Sequence, residues 1–132
     1  MASQSRAQSR GAKQEILRLE RQEEKDFNQR RLARCLKLFD RGFVGFSSTR
    51  HPRIAGLAAL KKTFVYYLRQ SPRMRYRMSQ QRVQVFNGAA VASFYWTVTL
   101  GPRRQVRGRG THVFIRKGKT WRIVHEHFSR AH

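Results

Sequence analysis

The sequence predicts an α+β domain with one strongly curved antiparallel sheet, on three observations. Apolar residues recur at helical spacing mainly before Ser71-Pro72, and strand-type alternation dominates after it. Short turns, Asn87-Gly88 among them, then join successive alternating segments. Helices first, a further helix after one strand, and then a meander is an α+β order rather than a βαβ order. At 132 residues a single domain is expected.

Residues 1–13 are rich in Ser, Gln and Arg, lack apolar periodicity and are expected to be disordered, leaving 14–132 as the domain. From Gln14 to Phe39 the apolar positions Ile16, Leu19, Phe27, Leu32, Cys35, Leu36 and Phe39 fit a helical stripe, as one long helix or two with a kink. Asp40-Arg41-Gly42 is the expected stop. Residues 43–49 read as a short strand, 50–53 as a loop, and 54–70 as a helix carrying Leu57, Leu60, Phe64, Tyr67 and Leu68 on one side. Met74, Tyr76 and Met78 alternate with Arg73, Arg75 and Arg77, the mark of a half-buried strand. Residues 83–86, 89–100, 105–116 and 120–128 complete the predicted strands.

Loop length decides which side chains share a face of a sheet. With a four-residue loop at 101–104 and a two-residue loop within 117–119, one face carries Ser93, Tyr95, Thr97, His112, Phe114, Trp121, Ile123, His125 and His127. The other carries Phe94, Trp96, Val98, Val113, Ile115, Val124 and Phe128, with Arg109 and Glu126 as a cross-strand ion pair. An odd-length loop at 101–104 would exchange the faces of the first of these strands. The first face, aromatic with hydroxyls and imidazoles, suits a pocket under the helices. The second is apolar enough to expect a homodimer contact through Phe94, Trp96, Val98, Val113, Ile115 and Val124.

Lys and Arg number 29 against 7 Asp and Glu, a formal charge of +22, and after Asp40 the only acid is Glu126. Either a polyanionic partner or an engineered re-surfacing of an ordinary scaffold accounts for such a balance. Fifteen aromatic residues exclude a disordered basic protein. The lone Cys35 excludes an intrachain disulfide and a cysteine-based zinc site, and reads as a small core residue. No secretory signal or membrane-spanning run stands out, so a cytoplasmic location is expected. The usual nucleic-acid modules are missing, yet so much charge implies salt-sensitive, non-specific binding to nucleic acid or other polyanions. The glycines of Arg107-Gly108-Arg109-Gly110 are expected to mark a bend or bulge rather than an RNA-binding tract.

Tyr95, Thr97, His112, Trp121 and His125 are the expected ligand-binding residues. If there is catalysis, His125 or His112 is the candidate base and Tyr95 the hydrogen-bond donor. His125-x-His127 with His112 has the spacing of a metal site, but no metal or cofactor is expected.

Three segments carry a resemblance: AAVASFYWT at 89–97, RGTHVF at 109–114 and WRIVHEHFS at 121–129. With Leu38-Phe39-Asp40 and Gly56-Leu57 they resemble the nuclear transport factor 2-like superfamily. Within it they are most similar to the SnoaL-like branch and the association domain of calcium/calmodulin-dependent protein kinase II. The resemblance implies a cone-shaped roll, a curved antiparallel sheet closed by N-terminal helices, and dimerisation through the sheet. It also implies a small-molecule cavity, with isomerase- or cyclase-like chemistry as the activity if any. Ketosteroid isomerases use a carboxylate base and a second, protonated carboxyl group, and SnoaL-like cyclases an acid. Since Glu126 is expected on the face away from the cavity, a binding domain without a catalytic carboxylate is the expected function, with a polyanion-binding or assembly module as the alternative.

Overall fold

The computed structural model describes residues 5–131. Helix α1 (Arg6–Asn28) opens on a capping box in which the Ser5 hydroxyl accepts from the Gln8 N–H and the Gln8 side chain accepts from the Ser5 N–H. The helix therefore starts inside the segment expected to be disordered; the cap supplies a start signal that apolar periodicity does not register. Residues 1–4 lie outside the described residues.

The helical region is two helices. Arg30 takes a left-handed backbone (φ 64°), α2 (Leu32–Leu36) follows, and β1 (Phe39–Phe46) begins earlier than expected. Asp40-Arg41-Gly42 thus belongs to β1 instead of ending a helix, because the fully buried Phe39 and Phe43 anchor that segment in the core. Strand β2 (Ile54–Ala55), helix α3 (Leu57–Gln70) and strands β3 (Arg75–Phe86), β4 (Ala89–Gly101), β5 (Arg104–Lys117) and β6 (Thr120–Arg130) complete the chain.

The strand order is β2-β1-β6-β5-β4-β3, antiparallel except for β1 beside β6. The result is the predicted α+β cone, helices over one side of a curved, unclosed sheet. Helix α1 covers the free edge of β3. Asn28 donates to the Tyr76 carbonyl (2.7 Å) and accepts from its N–H (2.8 Å), while Glu24 accepts from the Met78 N–H. Backbone groups of an edge strand are thereby taken out of reach of other chains.

Two irregularities decide the faces. Gly101 pairs with Arg104, but Thr99 pairs with Gln105, so Leu100 is one extra residue on β4. Phe114 pairs with Ile123, but Val113 pairs with His125, so Val124 is one extra residue on β6. Each extra residue reverses the alternation beyond it. Phe94, Trp96 and Val98 consequently share the helix-covered face with His112, Phe114, Glu126 and Phe128. Ser93, Tyr95, Thr97, Val113, His125 and His127 share the outer face.

The glycines of β5 have a different cause from the one expected. A Cβ on Gly110 would lie 2.5 Å from Phe94 Cε2, and one on Gly108 would collide with the Ser129 carbonyl and the Trp96 ring. These positions are empty so that two large rings can lie across β5; the bulges fall elsewhere.

Candidate functional site

Between the helices and the inner face lies a cavity of about 330 Å³, at the small end of ligand pockets (~300–1,000 Å³). Its apolar walls are Phe27 of α1, Phe64 of α3, Met74, Trp96, Val98, Leu100, Val106 and Phe128. Phe128 stacks near Phe94, Trp96 and Tyr76, with ring centroids 5.6, 6.1 and 6.4 Å apart. Ser47, Ser48, Thr49, Gln70, Arg104 and Arg130 add polar groups, and both arginines are exposed, which places them at the rim.

The buried end is acidic. Glu23 and Glu126 both line the cavity, as does Tyr76, and all three side chains are buried. Behind Glu126 sits His112, fully buried, with Nε2 3.2 Å from Glu126 Oε1 and Nδ1 2.8 Å from Glu20 Oε2. Burial is the largest influence on His112 and acts to lower its pKa. Hydrogen bonds to Glu126 and Glu20, with their charges, outweigh it and raise the pKa to about 10. His112 is therefore an imidazolium at neutral pH, clamped between two carboxyl groups.

Glu23 is the complementary case. Burial raises its pKa to about 8, opposed by His112 and reinforced by Glu126, Glu20 and Glu24. At neutral pH it keeps its proton, and Oε2 is buried without a partner. The Tyr76 hydroxyl is likewise buried and unpartnered, and burial first, then the carboxyl groups, holds its pKa well above the ordinary value. Unsatisfied buried polar atoms are uncommon in folded proteins. Here two of them belong to residues that line the same cavity.

The residues predicted to form this site are largely elsewhere. Of the expected ligand-binding set, His112 is on the inner face, but behind Glu126. Tyr95 is 52% exposed on the outer face, and Thr97 and His125 accompany it there. Trp121 is buried in the core outside the cavity. The bulges at Leu100 and Val124 caused both exchanges. For the same reason Phe94, Trp96 and Val98 are core or cavity residues rather than interface, and only Val113, Ile115 and Val124 of that set lie outside the core, partly exposed. Arg109 and Glu126 point to opposite faces and form no pair. His125 and His127 turn toward Phe46, away from His112, so the three imidazoles do not converge. Cys35 is buried, and burial pushes its thiol far up, away from nucleophilic use.

Missed from sequence were Glu20, Glu23 and the inward turn of Glu126. A signal for the first two existed. Ile16, Glu20, Glu23 and Phe27 follow one another at helical spacing, which puts two acids on the buried stripe of α1.

The profile of the SnoaL-like domain matches residues 22–132. No curated protein matches the chain in sequence. Among solved structures, an NTF2-like protein of unknown function from Pseudomonas putida KT2440 is 20% identical with a TM-score of 0.85, over 92% of this chain and 87% of that one. A calcium/calmodulin-dependent protein kinase II association-domain-like protein from Xanthomonas campestris is 16% identical with a TM-score of 0.77, over 97% and 89%. A ketosteroid isomerase-like protein from Parabacteroides distasonis ATCC 8503 is 23% identical with a TM-score of 0.71, over 88% and 85%. At these identities the likeness is one of fold. With its profile matched over most of its length, the chain belongs to the SnoaL-like domain family.

Proposed function

We propose that the cavity binds a small, largely apolar ring compound bearing a carbonyl group and moves a proton on it. The observation that carries this reading is the set of three groups at the buried end: Glu126, protonated Glu23 and the Tyr76 hydroxyl. Glu126, held through Oε1 by the His112 imidazolium, is the base that takes a proton from the carbon beside the carbonyl. Glu23 and Tyr76, both holding protons and lacking partners, donate hydrogen bonds to the enolate oxygen. Glu126 then returns the proton to the same carbon or to a conjugated one. Isomerase- or cyclase-like chemistry of this kind accords with the family membership, and the carboxyl groups supply what the sequence alone did not locate. Arg104 and Arg130 at the rim favour a substrate with an acidic substituent at its outer end.

The test uses 2-tetralone, an enolisable bicyclic ketone, in deuterated buffer, with loss of the α-proton signals followed by NMR. The chain should accelerate exchange, Glu126→Gln should lower the acceleration about 10²–10⁴-fold, and Tyr76→Phe should lower it less. Exchange at the same rate with and without the Glu126 carboxylate would overturn the assignment.

We also propose a homodimer. What supports it is a partly exposed apolar end of the outer face, Val91 opposite Val113 and Ala89 opposite Ile115, with Phe86 59% exposed beside them. A mass near 31 kDa by light scattering, lowered to the 15.6 kDa of one chain by Ile115→Arg, is the expected result.

A further inference from the structure

We propose that the other end of the outer sheet face, centred on Tyr95, binds single-stranded nucleic acid. This goes beyond the cavity reading and uses none of the cavity's residues.

The register lays the surface out in rows. Ser79, Tyr95, Arg109 and Ser129 form one row across β3, β4, β5 and β6. Arg77, Thr97 and Arg107 form the next, and Arg82, Ser93, Thr111 and His127 the row on the other side. Rows on one face repeat every ~6.7 Å along a strand, and neighbouring strands stand ~4.8 Å apart. Tyr95, half exposed in mid-strand, is therefore ringed by Arg77, Arg82, Arg107 and Arg109, all exposed. Hydroxyls of Ser and Thr fill the places between.

Nothing on this face balances the charge. Strands β3, β4 and β5 contain no Asp or Glu, and Glu126 of β6 faces inward. Among the described residues none of the four arginines makes an ion pair. On α1, by contrast, five acids stand among the basic residues, and on β5 Lys117 pairs with Asp40. Guanidinium groups crowded on one sheet face repel one another until an anion arrives.

The chemistry selects the partner. Arginines and hydroxyls contact phosphate and sugar, while an exposed ring in the centre offers a stacking platform for an unstacked base. A duplex hides its base faces, and its stiffness (persistence length ~150 bp) limits contact with the outside of a curved sheet. A flexible single strand can follow that curve and stack. A second copy of this chain is the wrong occupant here, because a two-fold contact would set four arginines against four.

The experiment measures anisotropy of fluorescein-labelled U12 and of a 12-base-pair duplex between 50 and 200 mM salt. Removing Arg77, Arg107 and Arg109 together (each to Gln) should weaken U12 at least tenfold and reduce the salt slope by about 2, at ~0.7 per phosphate contact. Tyr95→Ser should weaken U12 about tenfold and the duplex hardly at all. The control removes the same charge from α3, where Lys61, Lys62 and Arg69 are exposed, and should change binding less than threefold. Equal losses in the two triple variants, an unchanged affinity in Tyr95→Ser, or a duplex bound as tightly as U12 would each overturn the proposal in favour of diffuse charge attraction. All variants are checked for an unchanged thermal midpoint.

Discussion

His112 Nδ1 lies 2.8 Å from Glu20 Oε2, and neither side chain is exposed to solvent. The contact joins the middle of α1 to the middle of β5 across 92 residues of sequence. With Glu126 on the other ring nitrogen, it makes the core of this domain partly ionic. A buried ion pair is a poor source of net stability, but removing one member leaves an uncompensated charge in a low-dielectric interior. His112→Leu should therefore destabilise the chain by about 3–5 kcal/mol in urea unfolding. A triple change of Glu20, His112 and Glu126 to apolar residues of similar volume should recover much of that loss.

Stability should fall as pH rises. Glu23 is protonated in the folded chain up to about 8 but loses its proton near 4.5 when unfolded. His112 stays charged up to about 10 when folded, against 6.5 unfolded. Both groups bind their proton more tightly in the folded state. The Glu23 contribution is complete below 4.5 and is lost through about 8; that of His112 is complete below 6.5 and is lost through about 10. The decline should be steepest where the windows overlap, between about 6.5 and 8. Glu23→Gln should flatten it below 8 and leave the upper limb, as denaturant midpoints at stepped pH values will show.

Asn28 and Glu24 clasp α1 to the edge of β3, and the Asn28 amide alone satisfies both backbone groups of Tyr76. Asn28→Ala leaves the N–H and the carbonyl of Tyr76 without their partner, which should cost about 1–3 kcal/mol. Because Tyr76 belongs to the cavity, 2-tetralone exchange should fall as well. Hydrogen exchange at the Tyr76 amide reports the loosening directly.

Gly108 and Gly110 should tolerate alanine far less well than Gly88, where an added Cβ meets nothing within 4 Å. Gly108→Ala drives a methyl group into the Ser129 carbonyl and the Trp96 ring and should cost several kcal/mol, about the upper range for overpacking (~3 kcal/mol) or more. Gly88→Ala should stay within about 0.5 kcal/mol. Thermal midpoints of the three variants give the ranking.

Much of the fold was legible because it rests on local signals. Alternation gave the long strands, Asn87-Gly88 gave the turn between Phe86 and Ala89, and the helical stripe of Leu60 and Phe64 gave α3. The site was not legible, because it depends on single-residue counts. One extra residue at Leu100 and another at Val124 turned Tyr95 and His125 outward and brought Trp96 and Glu126 inward. Neither residue has a bulge signature in its own side chain. The acids of α1 were readable in principle, since Glu20 and Glu23 lie on the stripe defined by Ile16 and Phe27. That stripe alone would have turned both carboxyl groups inward, Glu20 onto His112 and Glu23 into the cavity wall.

The protonation state of Glu23 decides whether the buried end of the cavity holds a proton to donate. Glutamate labelled with 13C at Cδ gives five carboxyl signals, to be followed by NMR from pH 4 to pH 10, with Glu23→Gln for assignment. A Glu23 held neutral by burial gives one signal that titrates with a midpoint near 8 and is missing from the variant. Five signals that all titrate in the ordinary carboxylate range, near 4.5, would contradict a neutral Glu23 at the buried end of the cavity, and with it the proposed proton transfer.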